Sequence, residues 1–192
     1  MKVVADGRDE LRHLAERIRG RRSTNQFLKQ RVSRKLIREA VELARWAPNH
    51  HLTEPWRFYV LGEQAMAESV ELIRANATRK KDAAFGDFKA ASAREIPGWL
   101  VVTCKKSDDE ILQREDYASC CCAIQNLMLY LSEAGVATKW TTGDITRDLR
   151  FHQILGSDPD VSFIVALIWY GYPKILPTQS RRGLDEILTE LP

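Results

Sequence analysis

Two arginine steps, a loop with paired imidazoles and a threonine-rich strand end hold the side chains of this sequence that could do chemistry. Arg21, Arg22 and Ser23 place two guanidinium forks beside a hydroxyl. Each fork donates two parallel hydrogen bonds, which suits a phosphate or another planar anion. The same step also fits a solvated helix end whose arginines meet the helix dipole. Arg181 and Arg182 repeat the pair near the C-terminus, so two steps far apart in sequence could converge on one anion. Between them lies "APNHHLTEPW", residues 47 to 56, with His50, His51 and Glu54 flanked by two prolines. Loops of this kind, positioned by rigid elements, are where sites commonly sit. A metal shared by His50 and His51 is not expected, because adjacent side chains aim apart and no third ligand stands at ligand spacing. "KWTTGD" ends a strand with Thr141, Thr142 and Gly143, whose hydroxyls and flexible backbone suit the edge of a heterocycle or an ordinary turn.

The sequence holds no Ser-His-Asp order, phosphate-binding Gly-rich loop, dinucleotide fingerprint or paired catalytic carboxylates. No side chain is therefore assigned as catalytic, and an enzyme built on this chain takes its chemistry from a cofactor. The 29 basic and 26 acidic residues leave a net charge of only +3, too mild to mark a nucleic-acid or membrane protein. Distribution is more telling: nine Lys and Arg and no acidic residue fall between Arg17 and Arg38, which leaves 20 basic against 26 acidic residues elsewhere. That asymmetry points to a local anionic partner. A nucleic-acid face is disfavoured because Phe27 is the only aromatic residue in the segment.

Four cysteines, three of them consecutive at 120 to 122, lack paired Cys-x-x-Cys spacing and read as buried free thiols of a reducing compartment. The charged N-terminal stretch lacks a signal-peptide core and no run is long enough to span a bilayer, so a cytoplasmic location is expected.

The elements that must position these residues follow from periodicity. Leu11, Leu14, Ala15 and Ile18 recur at helical spacing over residues 8 to 19, with Gly20 as the stop. A second helix is expected after Ser33 as cap and Val32 as staple to Ile37, with Leu36, Ile37, Ala40, Val41 and Ala44 on its apolar face and Pro48 beyond its end. Strands are expected at "WRFYVLG", "GWLVVTC", "VATKWTTG" and residues 161 to 172, the last so continuously apolar that both its faces should be buried. Helices are expected over 64 to 79 and through Phe85, Phe88 and Ala91. A third, from Asp116 to Ala134, is apolar on nearly every face and should be the central buried helix, with Gly135 at its end. His13 and His152 fall in helix-like stretches as structural or exposed residues. Length and composition fit one α+β domain over residues 1 to 192, a three-layer α-β-α sandwich. The tail "LPTQSRRGLDEILTE" is too short for a core of its own, which makes exchange with a second subunit plausible.

Taken in order, "RRSTNQF", "VSRKLIREAVELARWAPNHHLTEPWRFYV", the helix before "EAGVATKWTTGD", "FIVALIWYGYPK" and "RRGLDEIL" resemble the FMN-dependent nitroreductase family over residues 17 to 190. The resemblance implies a mixed central sheet flanked by helices and a homodimer with exchanged C-terminal tails and FMN at the subunit interface. It places Arg21, Arg22 and Ser23 on the flavin phosphate, ribityl chain or pyrimidine edge, and Trp140, Thr141 and Thr142 beside the isoalloxazine. Arg182 with Arg181 would meet the phosphate, and His50 and Glu54 would reach the flavin from the partner subunit.

The activity implied is NAD(P)H-driven, ping-pong reduction of a nitroaromatic, a quinone or a similar acceptor. The same fold also serves dehalogenation or dehydrogenation, or flavin binding with little turnover. Asn25 stands where the family often has Arg, and Leu52 and Glu54 stand where many members have Asn and Gln. The resemblance therefore implies an FMN site with one cation fewer and one carboxylate more. A carboxylate beside a reduced, anionic flavin is unfavourable unless it is protonated or turned away.

Overall fold

In the computed structural model the described residues are 7 to 192; the first six, part of the charged N-terminal stretch, lie outside them. Four strands form one sheet in the order β1-β2-β4-β3, with β1 at Trp56–Val60, β2 at Gly98–Lys105, β3 at Ala137–Thr141 and β4 at Ser162–Gly171. All three strand pairings are antiparallel. Where a mixed sheet was expected, parallel pairing enters among the described residues only at the isolated bridge between Ser23 and Thr138.

Both faces of the sheet are covered, which gives the three layers. Helices α2 (Arg34–Ala44) and α5 (Glu110–Glu133) lie on one face, where Ile37, Ala40, Ile124 and Leu127 pack against Leu100, Val102, Ala166 and Ile168. The opposite face buries Trp99, Val101 and Leu167 under α3 (Glu63–Lys80), α4 (Ala83–Arg94) and α6 (Leu149–Leu155). Burial on both sides explains the unbroken apolar runs of β2 and β4: the pattern reports two covered faces, whether pairing is parallel or antiparallel. Alternation breaks once, at a bulge where Val102 and Thr103 pair with Ala166 and Ile164, so Val165 is the extra residue and joins Ala166 on the α5 side. Gly98 is required where it stands: a Cβ there would meet the Tyr170 ring at 2.2 Å, and the two residues are register partners.

Helix α5 is the spine of the molecule. It begins six residues before the expected start because Asp109 caps it, accepting from the backbone N–H of Ile111 at 2.8 Å and of Leu112 at 3.2 Å. It ends at Gly135, whose φ of +74° is the left-handed conformation expected of a helix stop. Ser33 precedes α2 as expected but makes no side-chain cap bond; Val32 does pack on the core that holds Ile37. Cys104 and Cys120 are buried as predicted, whereas Cys121 is half-buried and Cys122 is exposed because a helix turns consecutive residues to different faces. His152 is buried against Ser157 at 2.8 Å, and burial lowers its pKa. His13 stays at the surface beside Glu133.

Helix α1 (Gly7–Gly20) follows the predicted span, yet its apolar face is uncovered: Leu11 is 68% exposed, and Leu14 and Ile18 are more than half exposed. The tail after Gly171 repeats this, with Ile175, Leu184, Ile187 and Leu191 all exposed. No helix of the described residues is long and apolar enough to cross a membrane.

Candidate active site at the two ends of helix α5

At the C-terminal end of α5, Glu133 pairs with Arg17 of α1, and the chain then turns through Arg21 and Arg22 to the Ser23 bridge with Thr138 of β3. The segment is fixed as it passes the end of the sheet. Leu28 donates its N–H to the Tyr172 carbonyl at 2.8 Å, Phe27 bridges Pro173, and Lys174 donates to the Gln26 carbonyl at 2.9 Å. Arg21 is half-buried, and among the described residues its buried Nη1 has no hydrogen-bond partner. Burial lowers the Arg21 pKa, and the neighbouring charges of Arg22 and Arg181 lower it further. The two arginine steps, 160 positions apart in sequence, therefore approach within one chain. Arg22 donates to the carbonyls of Arg19 and Arg21. Thr138 Oγ1 is a second buried polar atom without a partner, on the strand that also brings Trp140 and Thr141 to this edge, half-buried. Ser23, Asn25, Thr142, Arg181 and Arg182 are exposed.

A desolvated cation among like charges is costly unless an anion joins it. The unpartnered Nη1 of Arg21, beside the charges of Arg22 and Arg181, is a donor suited to a phosphoryl oxygen.

The loop from Ala47 to Trp56 lies at the other end of α5. Asn49 holds it: its Oδ1 accepts from the Glu54 N–H at 2.7 Å, and its Nδ2 donates to Thr53 Oγ1 at 3.0 Å and Ser119 Oγ at 3.3 Å. Thr53 in turn donates to the buried carboxylate of Asp116. Held this way, His51, Leu52 and Glu54 adopt positive φ of 60°, 51° and 44°, a conformation that residues with a side chain seldom take. Strain of this kind persists only when surrounding bonds impose it, and it collects at functional sites. His50 Nδ1 lies 2.8 Å from Glu115 Oε2, while His50 and His51 stack with centroids 3.8 Å apart. The premise that adjacent imidazoles aim apart with no third group nearby does not hold here. The left-handed turn at His51 sets both rings together, and α5 supplies the third group, Glu115, from a distant part of the sequence. Glu54 is exposed and lies within electrostatic reach of Arg45.

Glu115 and Glu133 are eighteen residues apart on α5, a distance of about 27 Å at 1.5 Å per residue. One chain therefore keeps its arginine group and its imidazole loop well apart. Placed in order along the chain, these pieces match the Nitroreductase family over residues 18–172. The chain belongs to the nitroreductase family. A curated relative from Bacillus subtilis (strain 168), named "Putative NAD(P)H nitroreductase YfhC", is 34% identical over 88% of this chain and 89% of its own length. The crystal structure of a nitroreductase-like family protein from Bacillus cereus superposes with a TM-score of 0.81 at 25% identity, covering 100% of this chain and 98% of that one. That of NfnB from Sphigopyxis sp. strain HMH, described as an FMN and NADPH-dependent nitroreductase, gives 0.73 at 20% identity, covering 93% and 99%.

This nitroreductase-family chain also carries polar groups that sequence patterns did not single out. A cavity of about 330 Å³ opens beside Thr141 and Gly143, lined by Lys80, Lys89, Lys139 and Trp169. Lys139 Nζ sits 5.3 Å from the centre of the Trp169 ring. Buried Asn76 borders the cavity and accepts from Arg79 at 2.8 Å and Arg150 at 3.1 Å, yet its Nδ2 has no partner among the described residues, nor does Trp169 Nε1. These lysines lie on helices and a strand whose exposed faces look like ordinary solvated surface in sequence. The legible signal was Lys139 alternating with Trp140 at the end of a strand.

Proposed function

We propose that this chain is a cytoplasmic, FMN-dependent oxidoreductase, one domain over residues 1 to 192. It acts as a homodimer, taking reducing equivalents from NAD(P)H and passing them to a nitroaromatic, quinone or similar small acceptor. The observation that carries this reading is the buried, unpartnered Nη1 of Arg21 beside the charges of Arg22 and Arg181, in a chain of the nitroreductase family. FMN, when bound, supplies the hydride and electron chemistry, and the protein supplies binding, orientation and electrostatics. Arg21, Arg22, Arg181 and Arg182 hold the phosphate, with Ser23 and Asn25 beside them on the polar chain. Asn25 offers hydrogen bonds without the positive charge an arginine would add. Trp140, Thr141 and Thr142 flank the ring system at the end of β3.

His50 and Glu54 reach the flavin of the partner subunit, because in their own chain they lie at the far end of α5 from Arg21. The uncovered apolar residues of α1 and the tail support a second copy as their cover.

Absorbance spectra of the purified protein, taken before and after NADH and then NADPH, test the proposal. Flavin bands that bleach with a reduced nicotinamide are expected. Arg21→Ala should weaken FMN binding by about 10- to 100-fold, the range for a lost charge-assisted hydrogen bond, with an unchanged circular dichroism spectrum. A protein that stays colourless after incubation with FMN overturns the function, and an undiminished affinity in Arg21→Ala overturns the placement.

A further inference from the structure

We infer that His50, His51 and Glu115 form a binding site for a borderline divalent transition-metal ion, of the class of Zn²⁺ or Co²⁺, with a fourth position open to water. One ligand atom from each residue lies within 4.8 Å of the others. A tetrahedral ion at 2.0 to 2.1 Å from its ligands sets those atoms about 3.3 Å apart. The 2.8 Å contact of His50 with Glu115 then opens by about half an ångström, and the wider pairs close by rotation of two exposed rings.

Three features prepare the site. Adjacent residues of an extended chain point to opposite sides, but His51 at φ 60° and ψ 6° folds the two imidazoles together. The loop that carries them is anchored through Asn49 to Ser119 and through Thr53 to Asp116, both on α5, the helix that carries Glu115. Little backbone order therefore has to be gained on binding. The donor set selects the ion class, since two imidazoles with one carboxylate suit zinc or cobalt, whereas calcium and magnesium prefer oxygen ligands alone. An ion bound to His50 Nδ1 and Glu115 would take the place of the hydrogen bond between them.

A consequence follows that does rest on the proposed flavin function. An ion that holds His50 against Glu115 of its own chain withdraws it from the partner's flavin, so metal and FMN oppose each other.

Titration of metal-free protein with Zn²⁺ by calorimetry, and with Co²⁺ followed by its visible d–d bands, tests the site in the whole chain. One ion per chain is expected. His51→Ala and Glu115→Gln, neither of them in the proposed flavin contacts, should each weaken binding by about tenfold or more. Cys122→Ser, which removes an exposed thiol elsewhere on α5, should leave binding unchanged. Equal affinity in the two ligand variants, loss of binding in Cys122→Ser, or no Co²⁺ bands overturns the site. Metal binding that persists with unaltered FMN affinity upholds the site and removes only the opposition.

Discussion

The two ends of α5 are built on opposite terms. At its C-terminal end, Arg21 Nη1 and Thr138 Oγ1 are buried without partners among the described residues, and the charges of Arg22 and Arg181 act on Arg21. At its N-terminal end, the Asn49 side chain has both its oxygen and its nitrogen engaged, and the tension sits in the backbone of His51, Leu52 and Glu54. One end is prepared for charge and the other for shape. Unsatisfied donors mark where a ligand completes the structure, while a satisfied but strained loop marks a surface formed in advance. The proposed flavin site between two subunits would draw on both, with one chain's loop set over the other's arginines.

The sharpest way to break this comparison is to divide the lesions between subunits. Arg21→Ala and His50→Ala homodimers should each bind FMN weakly at both sites. A purified heterodimer of the two carries both lesions in one site and neither in the other, so about half of its sites should titrate with unaltered affinity, as two-fold symmetry requires. A heterodimer uniformly weak at both sites would mean that each flavin takes its arginines and its imidazole from one and the same chain. The next largest effect falls on the loop. Asn49→Ala removes the bonds to the Glu54 N–H, Thr53 and Ser119 and lets the left-handed residues relax, which should cost about 2 to 4 kcal/mol at about 1 kcal/mol per bond. Denaturant unfolding measures this cost. Arg21→Ala, by contrast, should leave stability unchanged or raise it, since it removes a desolvated charge among like charges.

The order and type of the long elements were legible because their patterns are dense. The aromatic and β-branched runs of β1, β2 and β4, the apolar face of α2 and Gly135 after α5 all agree with the observed fold. The start of α5 was not legible, since residues 110 to 115 are mostly polar and only the Asp109 cap marks the turn. Nor was the Val165 bulge, because one extra residue in a fully apolar run leaves no trace in composition. At the site, the arginine steps stood out by type, and their approach through a long tail was an expectation that the charge effect of Arg181 on Arg21 supports. The grouping of His50, His51 and Glu115 was hidden, because no local rule foretells a positive φ at histidine. Asn76 and the lysines of the cavity were hidden for the ordinary reason that polar helix residues are mostly solvated.

A smaller effect sharpens the loop end. Asp109→Ala removes the side-chain cap that begins α5, six to ten residues before Glu115, Asp116 and Ser119, the three that anchor the loop. The cost should be about 1 kcal/mol, and hydrogen exchange should rise in the first turn of α5 and in residues 49 to 54 together. Exchange confined to the helix start would show that the loop holds its shape without that turn, and that its strain is sustained locally by Asn49.

The smallest expected effect is at the other end. Glu133 pairs with Arg17 and, at 3.4 Å, with His13, and all three side chains are about half exposed. Exposed pairs contribute only about 0 to 1 kcal/mol and are screened by salt, so Glu133→Gln should change stability by a few tenths of a kcal/mol, and by less in high salt. The size matters because α1 has no buried residue of its own and touches α5 through this pair. If charge at this end exists to meet a ligand and a second subunit covers the apolar face of α1, losing Glu133 should scarcely register in unfolding of the intact dimer. A salt-independent loss above about 1 kcal/mol would make the pair a structural clamp. The basic segment that follows it would then be ordered by its own chain, and the contrast between a charged end and a shaped end would fail.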